Sequence, residues 1–286
     1  IVGAGVMGAG IAQWMASRRL KVTLTDIGHD QLAQGMATIS KLFQEGVKRR
    51  VFTPTVAQRG LDCVLPVVGS APLPRINLVI EAAVETLEIK KKIFQDLDRR
   101  TAPDAILATN TSALPVSEIA AATSRPDKVI GIHFFNPVHR MQLVEVVVGE
   151  RTSPETVQRV LTFVQGIGKL PVISKDSPGF IVNRILLPYL AEAGRLFDQG
   201  ADLIAIDRAM LDFGMRRAAG RWRHPLRVDH RRLGRPVAGR AEAGRCGLVR
   251  PKDWKRILSL QGQREGGAKS RRAGLDTIVR IHPRRS

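Results

Sequence analysis

Two ionisable side chains stand where strand formers otherwise prevail. The stretch G-I-H-F-F-N-P-V-H-R-M-Q-L-V-E-V, residues 131–146, carries His133 twelve residues ahead of Glu145. An imidazole beside a carboxylate is a tuned base, because the carboxylate selects the tautomer and favours the imidazolium. Such a pair suits a reaction in which His133 takes a proton from an alcohol while a hydride leaves the adjacent carbon. The competing reading is a histidine satisfied inside a core; His139, in a predicted loop nearby, is the internal comparison. Ser112, in N-T-S, follows a predicted strand and precedes a predicted helix, and Asn183 lies in a predicted helix after Pro178. Both have the chemistry to hydrogen-bond a substrate oxygen and the imidazole. Their ordinary alternatives are a helix cap for Ser112 and an inter-domain contact for Asn183.

The chain opens I-V-G-A-G-V-M-G, a G-x-G-x-x-G pattern at Gly3, Gly5 and Gly8. Gly3 permits a tight turn, Gly5 lets backbone approach a pyrophosphate, and Gly8 lets helix pack close to strand; the helix N-terminus then offers N–H donors to phosphate. A predicted strand follows and ends in Asp26, where an acid binds the adenine ribose hydroxyls. A carboxylate there repels a 2′-phosphate, and neither Ile27 nor Gly28 is an arginine. The pattern therefore points to NAD over NADP, against the alternative of a glycine turn that binds no dinucleotide.

These groups need a scaffold. Hydrophobic patterning predicts helices over residues 7–17, 31–48, 54–60, 86–98 and 154–165, and strands over 21–25, 78–80, 106–108, 129–134, 143–148 and 171–173. Short Val/Ile-rich strands separated by helices imply right-handed crossovers and a largely parallel sheet covered on both faces. In such a sheet, ligands collect at the carboxyl ends of the strands. Pro178 is expected near the start of a helix, with apolar residues running on through Leu196 as the entry to a second, helical domain.

The formal net charge of +19 suggests a nucleic-acid partner until it is located. Residues 216–286 hold 21 Lys and Arg against 5 Asp and Glu, whereas residues 1–215 hold 24 against 21. The excess belongs to the last quarter, which has 18 Arg and only 3 Lys. Phosphates accept either cation, so nucleic-acid binding does not account for that bias, whereas a shifted reading frame in a GC-rich gene does. A nucleic-acid-binding tail is the alternative and predicts salt-sensitive, sequence-independent binding. No apolar run reaches roughly eighteen residues, so no membrane span is expected. Cys63 and Cys246 lack metal-ligand spacing and read as free thiols in a reducing, cytoplasmic setting, with no metal expected.

The motifs G-A-G-V-M-G-A-G-I-A, V-I-E-A-A-V-E, A-T-N-T-S, G-I-H-F-F-N-P-V, L-V-E-V and D-S-P-G-F-I-V-N-R occur in order over residues 1–215. Together they resemble the NAD-dependent 3-hydroxyacyl-CoA dehydrogenases of fatty-acid β-oxidation. L-F-Q-E-G-V-K-R-R-V-F-T, residues 42–53, resembles the dehydrogenase part of the multifunctional β-oxidation proteins. The resemblance implies an α/β fold: a Rossmann-type doubly wound NAD-binding domain over residues 1–174, then a truncated α-helical domain beginning at 175–215. It implies that His133 is the general base, that Glu145 orients and supports it, and that Ser112 and Asn183 bind the substrate oxygen. Glu85, Lys90 and Asn136 match positions near the cofactor, and Asp26 holds its ribose. The implied reaction is hydride transfer from C3 of an L-3-hydroxyacyl-CoA to NAD. Lys48, Arg49 and Arg50, ending the long helix, are candidates for a CoA phosphate; the alternative is a solvated helix end.

Family motifs stop after residue 215, so residues 216–286 are expected to be a frameshifted, disordered tail. The family dimer contact is then expected to be lost and the activity of this chain itself to be in question. The start within a strand is expected of a fragment of a longer protein, fused to or complexed with other β-oxidation activities. An NAD-binding relative without turnover is a further alternative, against which the presence of both His133 and Glu145 argues.

Overall fold

The computed structural model describes residues 1–69, 73 and 75–214. The Arg-rich tail and Cys246 lie outside the described residues. In the first compact unit, residues 1–187, α1 (Val6–Ala16), β1 (Val22–Asp26), α2 (His29–Lys48), α3 (Pro54–Leu61), β2 (Val64–Val68), β3 (Leu78–Glu81) and α4 (Leu87–Arg100) come first. They are followed by β4 (Ile106–Thr109), α5 (Val116–Ala120), β5 (Val129–Phe134), β6 (Leu143–Val148), α6 (Pro154–Gly166) and β7 (Leu170–Lys175).

Val2 bridges in parallel to Thr25 of β1 and to Glu81 of β3. It joins the β1–β2 pair to the β3-β4-β5-β6-β7 array. From Val2 the chain passes to β1 and β2 on one side and returns to β3 on the other. That reversal is a topological switch point, and the glycine turn leaves the sheet there. β1, β3, β4 and β5 run parallel, whereas β5 and β6 pair antiparallel with His133 opposite Glu145. The eight residues between β5 and β6 are too few for a crossover, so the chain doubles back.

The sheet is covered on both faces. On one, Ile11 and Met15 of α1, Ile39 and Phe43 of α2, and Val160 and Val164 of α6 pack against Leu24, Ile130, Ile132 and Val146. On the other, Phe94 and Leu97 of α4 and Val116 and Ile119 of α5 pack against Val79, Leu107, Val129 and Val147. All six residues of β5 are buried. Strand alternation puts His133 on the face of Val129 and Glu145 on the face of Val147, so the two side chains meet there.

Two elements of the first unit escape the hydrophobic pattern. β2 contains Pro66, which argues against a strand, yet β2 pairs only with β1 among the described residues, and an edge strand tolerates proline. α5 has only 5 residues, too few to show a helical period.

β7 ends at Lys175, close to the expected domain boundary at 174. The compact unit nevertheless continues to Leu187, because Glu145 binds the chain just beyond the boundary. The second unit begins at Pro188, inside α7 (Val182–Asp198), and includes α8 (Leu203–Asp212), capped by the Asp202 side chain on Ala205 N. Pro178 sits in the turn ahead of α7, not in its first helical turn.

Candidate active site

His133 and Glu145 are 7 % and 1 % exposed. Imidazole Nδ1 lies 2.7 Å from Glu145 Oε2. The other carboxylate oxygen, Oε1, accepts the backbone N–H of Ile181 at 2.9 Å and of Val182 at 2.8 Å. The N-terminus of α7 is thus held by the same carboxylate that holds the histidine. Burial opposes ionisation of Glu145, but the hydrogen bond from His133 and the two helix N–H groups outweigh it, leaving its carboxyl below the ordinary range. An ionised partner at Nδ1 requires that nitrogen to carry a proton, so in the neutral ring the lone pair is on Nε2. The rings of Phe135 and Phe180 flank the imidazole with centroids at 4.4 and 5.9 Å. His139 lies in the following turn, apart from this arrangement.

At the ends of β3 and β4 a second cluster forms. Glu85 Oε1 accepts the Thr111 hydroxyl at 2.6 Å, Ser112 N–H at 2.8 Å and the Ser112 hydroxyl at 3.1 Å. Asn183 Nδ2 donates to the Ser112 carbonyl at 2.9 Å. The structure therefore brings together Glu85, Ser112 and Asn183. Asn110 fastens the floor, its Oδ1 accepting Phe134 N–H beside the histidine at 2.9 Å. Asn136 is exposed in the β5–β6 loop, and its peptide bond to Pro137 is cis.

Lys90, matched to positions near the cofactor, is fully buried. Its ammonium lies 2.7 and 2.8 Å from the two oxygens of buried Glu81 and 3.5 Å from Glu85 Oε2. The reason is helical spacing: Lys90, Phe94 and Leu97 form the buried stripe of α4. Its influence on any ligand passes through Glu85. Glu81 is a residue that sequence reasoning missed; the available signal was a carboxylate closing an apolar strand, with a lysine on the inward stripe of the next helix.

The glycine turn fits a dinucleotide. Gly3 has φ +97°, and a Cβ there would stand 2.7 Å from the Ala82 carbonyl oxygen, while a Cβ on Gly8 would stand 1.8 Å from the Gly3 oxygen. The protein's own packing accounts for both. A Cβ on Gly5 would meet nothing within 4 Å, so the protein itself imposes no steric demand for that glycine. Gly5 caps α1, whose first turn carries no acidic residue and whose cap makes no side-chain hydrogen bond. The turn is an open cradle with N–H donors for an anion. Asp26 is set beside it, Oδ2 accepting Ala4 N–H at 2.6 Å and Oδ1 accepting Ile27 N–H at 2.7 Å, with lone pairs left for ribose hydroxyls. Gly5→Ala is expected to leave the fold intact and to weaken NAD roughly tenfold to a hundredfold, the loss of one charge-assisted hydrogen bond; calorimetric titration with NAD measures it.

Of the three basic residues ending α2, Arg49 lines a cavity of about 200 Å³ with Gln13, Trp14, Phe52, His139 and Arg140. Lys48 and Arg50 are exposed and do not line it. Arg140 adds a second cation that sequence reasoning passed over. Among the described residues no helix is long and apolar enough to cross a membrane.

Known proteins resemble this chain in sequence and fold. The profile of the 3-hydroxyacyl-CoA dehydrogenase NAD binding domain matches residues 1–177, and that of the 3-hydroxyacyl-CoA dehydrogenase C-terminal domain matches 179–256, extending into the Arg-rich stretch. The fatty acid oxidation complex subunit alpha of a Psychrobacter species is 40 % identical over 214 residues, 75 % of this chain and 30 % of that protein. The chain thus spans about a third of that curated relative. Among solved structures, (S)-3-hydroxybutyryl-CoA dehydrogenase from Ralstonia eutropha is 38 % identical with a TM-score of 0.74, covering 76 % of this chain and 78 % of that one. The 3-hydroxybutyryl-CoA dehydrogenase from Escherichia coli is 40 % identical with a TM-score of 0.72, covering 74 % and 45 %. With a dinucleotide cradle at the switch point, a buried histidine–glutamate pair two strands beyond β3, and profiles of both domains matching in order, this chain belongs to the 3-hydroxyacyl-CoA dehydrogenase family.

Proposed function

We propose that the chain oxidises an L-3-hydroxyacyl-CoA to the 3-ketoacyl-CoA. The observation that carries this reading is the His133–Glu145 pair, buried, with Nδ1 2.7 Å from the carboxylate and Nε2 not engaged by it. Bound NAD supplies the hydride acceptor. His133 Nε2 takes the hydroxyl proton, and the Glu145 carboxylate stabilises the imidazolium that results. Asn183 keeps a second amide N–H to donate to the substrate oxygen, and the Ser112 hydroxyl can turn from Glu85, which still accepts Thr111 and Ser112 N–H, to donate to it as well. Glu85 keeps Ser112 in place, and Asp26 favours the cofactor without a 2′-phosphate. Phe135 and Phe180 exclude water from the imidazole, strengthening its electrostatics.

Arg49 and Arg140 at the cavity rim suit a CoA phosphate. Removing the charges of Lys48, Arg49 and Arg50 should weaken a CoA thioester roughly tenfold, within the range of a charge-assisted contact. Arg49→Ala alone should account for most of that change. A short non-CoA analogue should bind unchanged, and equal losses for both ligands reject the site.

The deciding experiment follows NADH formation from L-3-hydroxybutyryl-CoA by the full chain, beside one translated in the alternative frame after residue 215. NADH formation by the full chain supports the reading, and formation by the second chain alone confines the activity to that form. NAD binding with no turnover by both assigns the chain to the inactive relatives. We infer that the protein works in the cytoplasm in a complex with other fatty-acid oxidation activities; the name of the Psychrobacter relative supports the complex.

A further inference from the structure

Glu81 and Lys90 lie beneath the candidate site and are both 0 % exposed. Glu81, closing β3, accepts the ammonium of Lys90 on both oxygens, the Thr109 hydroxyl at 2.7 Å and Ala83 N–H at 2.7 Å. Its acceptor capacity is used within β3, β4 and α4. Lys90 is not used up in the same way, since its ammonium also lies 3.5 Å from Glu85 Oε2. Glu85 is the only one of the three that reaches the surface, and its other oxygen gathers Thr111 and Ser112. Without the lysine, Glu85 would lose the cation beside Oε2, and its protonated form would be favoured more than now. A protonated Glu85 would lose part of its capacity to accept three donors.

We propose that the Glu81–Lys90 pair is a positioning device for Ser112, in which Lys90 keeps Glu85 ionised and fixed and Glu85 fixes the serine by its main chain and hydroxyl. The connection continues to α7 through the Ser112 carbonyl and Asn183. The functional part of this inference rests on the reading of Ser112 as a contact to the substrate oxygen. The relay itself rests on geometry alone, and Glu85 agrees with it. Burial opposes its ionisation, yet Thr111, Ser112 and Lys90 together hold its carboxyl below the ordinary value.

The test uses the full chain carrying Glu81→Gln with Lys90→Met, which removes both charges and leaves no unpaired ion in the core. Carbon NMR of the Glu85 carboxyl and hydrogen exchange at Ser112 N–H are read with and without NAD. The Glu85 pKa is expected to rise by about one unit, and exchange at Ser112 to quicken roughly tenfold relative to neighbouring amides. Turnover is expected to fall roughly tenfold to a hundredfold through misplacement of the serine. A pair that merely fastens α4 to β3 would lower the melting temperature while leaving the Glu85 titration and the relative protection of Ser112 unchanged, and that result overturns the proposal. Ser112→Ala separates the two layers. If the charge removal has no further effect on turnover in that background, the relay acts through the serine. If its effect multiplies in full, it does not. Wild-type turnover in Ser112→Ala alone removes the substrate role of the serine, and the relay's function with it, whatever the titration shows.

Discussion

His133→Gln lowers turnover by about 10²–10⁴, the range for a positioned general base, while NAD affinity stays at the wild-type value. The substitution is chosen for what it preserves. A glutamine amide can still donate to Glu145, so the carboxylate keeps a partner and continues to accept the N–H groups of Ile181 and Val182 at 2.9 and 2.8 Å. Both Phe135 and Phe180 retain a planar neighbour. Only the basic lone pair is lost. The cofactor cradle at Gly3, Gly5 and Gly8 and the Asp26 carboxylate lie on α1 and β1 and share no hydrogen bond with His133. Turnover and NAD affinity should therefore separate. A parallel fall in both would mean that the substitution disturbed the fold, and near-normal turnover would remove His133 from the chemistry.

Lys90→Met destabilises the first compact unit by about 3–5 kcal/mol, the usual consequence of breaking a buried pair from one side. Methionine fills the space of the lysine stem, so the loss is not a cavity effect. It arises because Glu81, fully buried, is left as an uncompensated anion with only Thr109 and Ala83 as donors. Adding Glu81→Gln should recover most of the loss, since a buried pair replaced from both sides is often neutral. Denaturant unfolding followed by exchange of core amides in β4 and β5 measures both variants. Equal instability of the single and double variants would show that packing, not charge, dominates at this position.

Much of the fold was legible because period and length agreed. β5 and β6 end where their apolar runs end, and α2 shows Leu32, Ile39 and Phe43 on one buried face. The approach of His133 to Glu145 was also accessible: two strands joined by eight residues must double back, and a register that sets the two opposite each other puts both side chains on one face. What could not be read was register and depth. No local pattern shows that Glu145 also caps α7, because its partners at Ile181 and Val182 are 36 and 37 residues away. The depth of Lys90 was not legible for a related reason. A charged residue on an amphipathic helix reads as solvated, and only its position on the stripe with Phe94 and Leu97, facing a carboxylate on a neighbouring strand, puts it inside. β2 was hidden by Pro66, whose tolerance depends on a sheet edge that local sequence does not reveal.

The functional reading reduces to which imidazole nitrogen holds the proton before substrate arrives. Nitrogen NMR of His133 in the full chain at neutral pH reports this directly, with no need for turnover. The expected result is a proton on Nδ1, donated to Glu145, and a bare Nε2. A proton on Nε2 with Nδ1 bare, or a proton on both, would leave no acceptor for the substrate hydroxyl and would contradict the account.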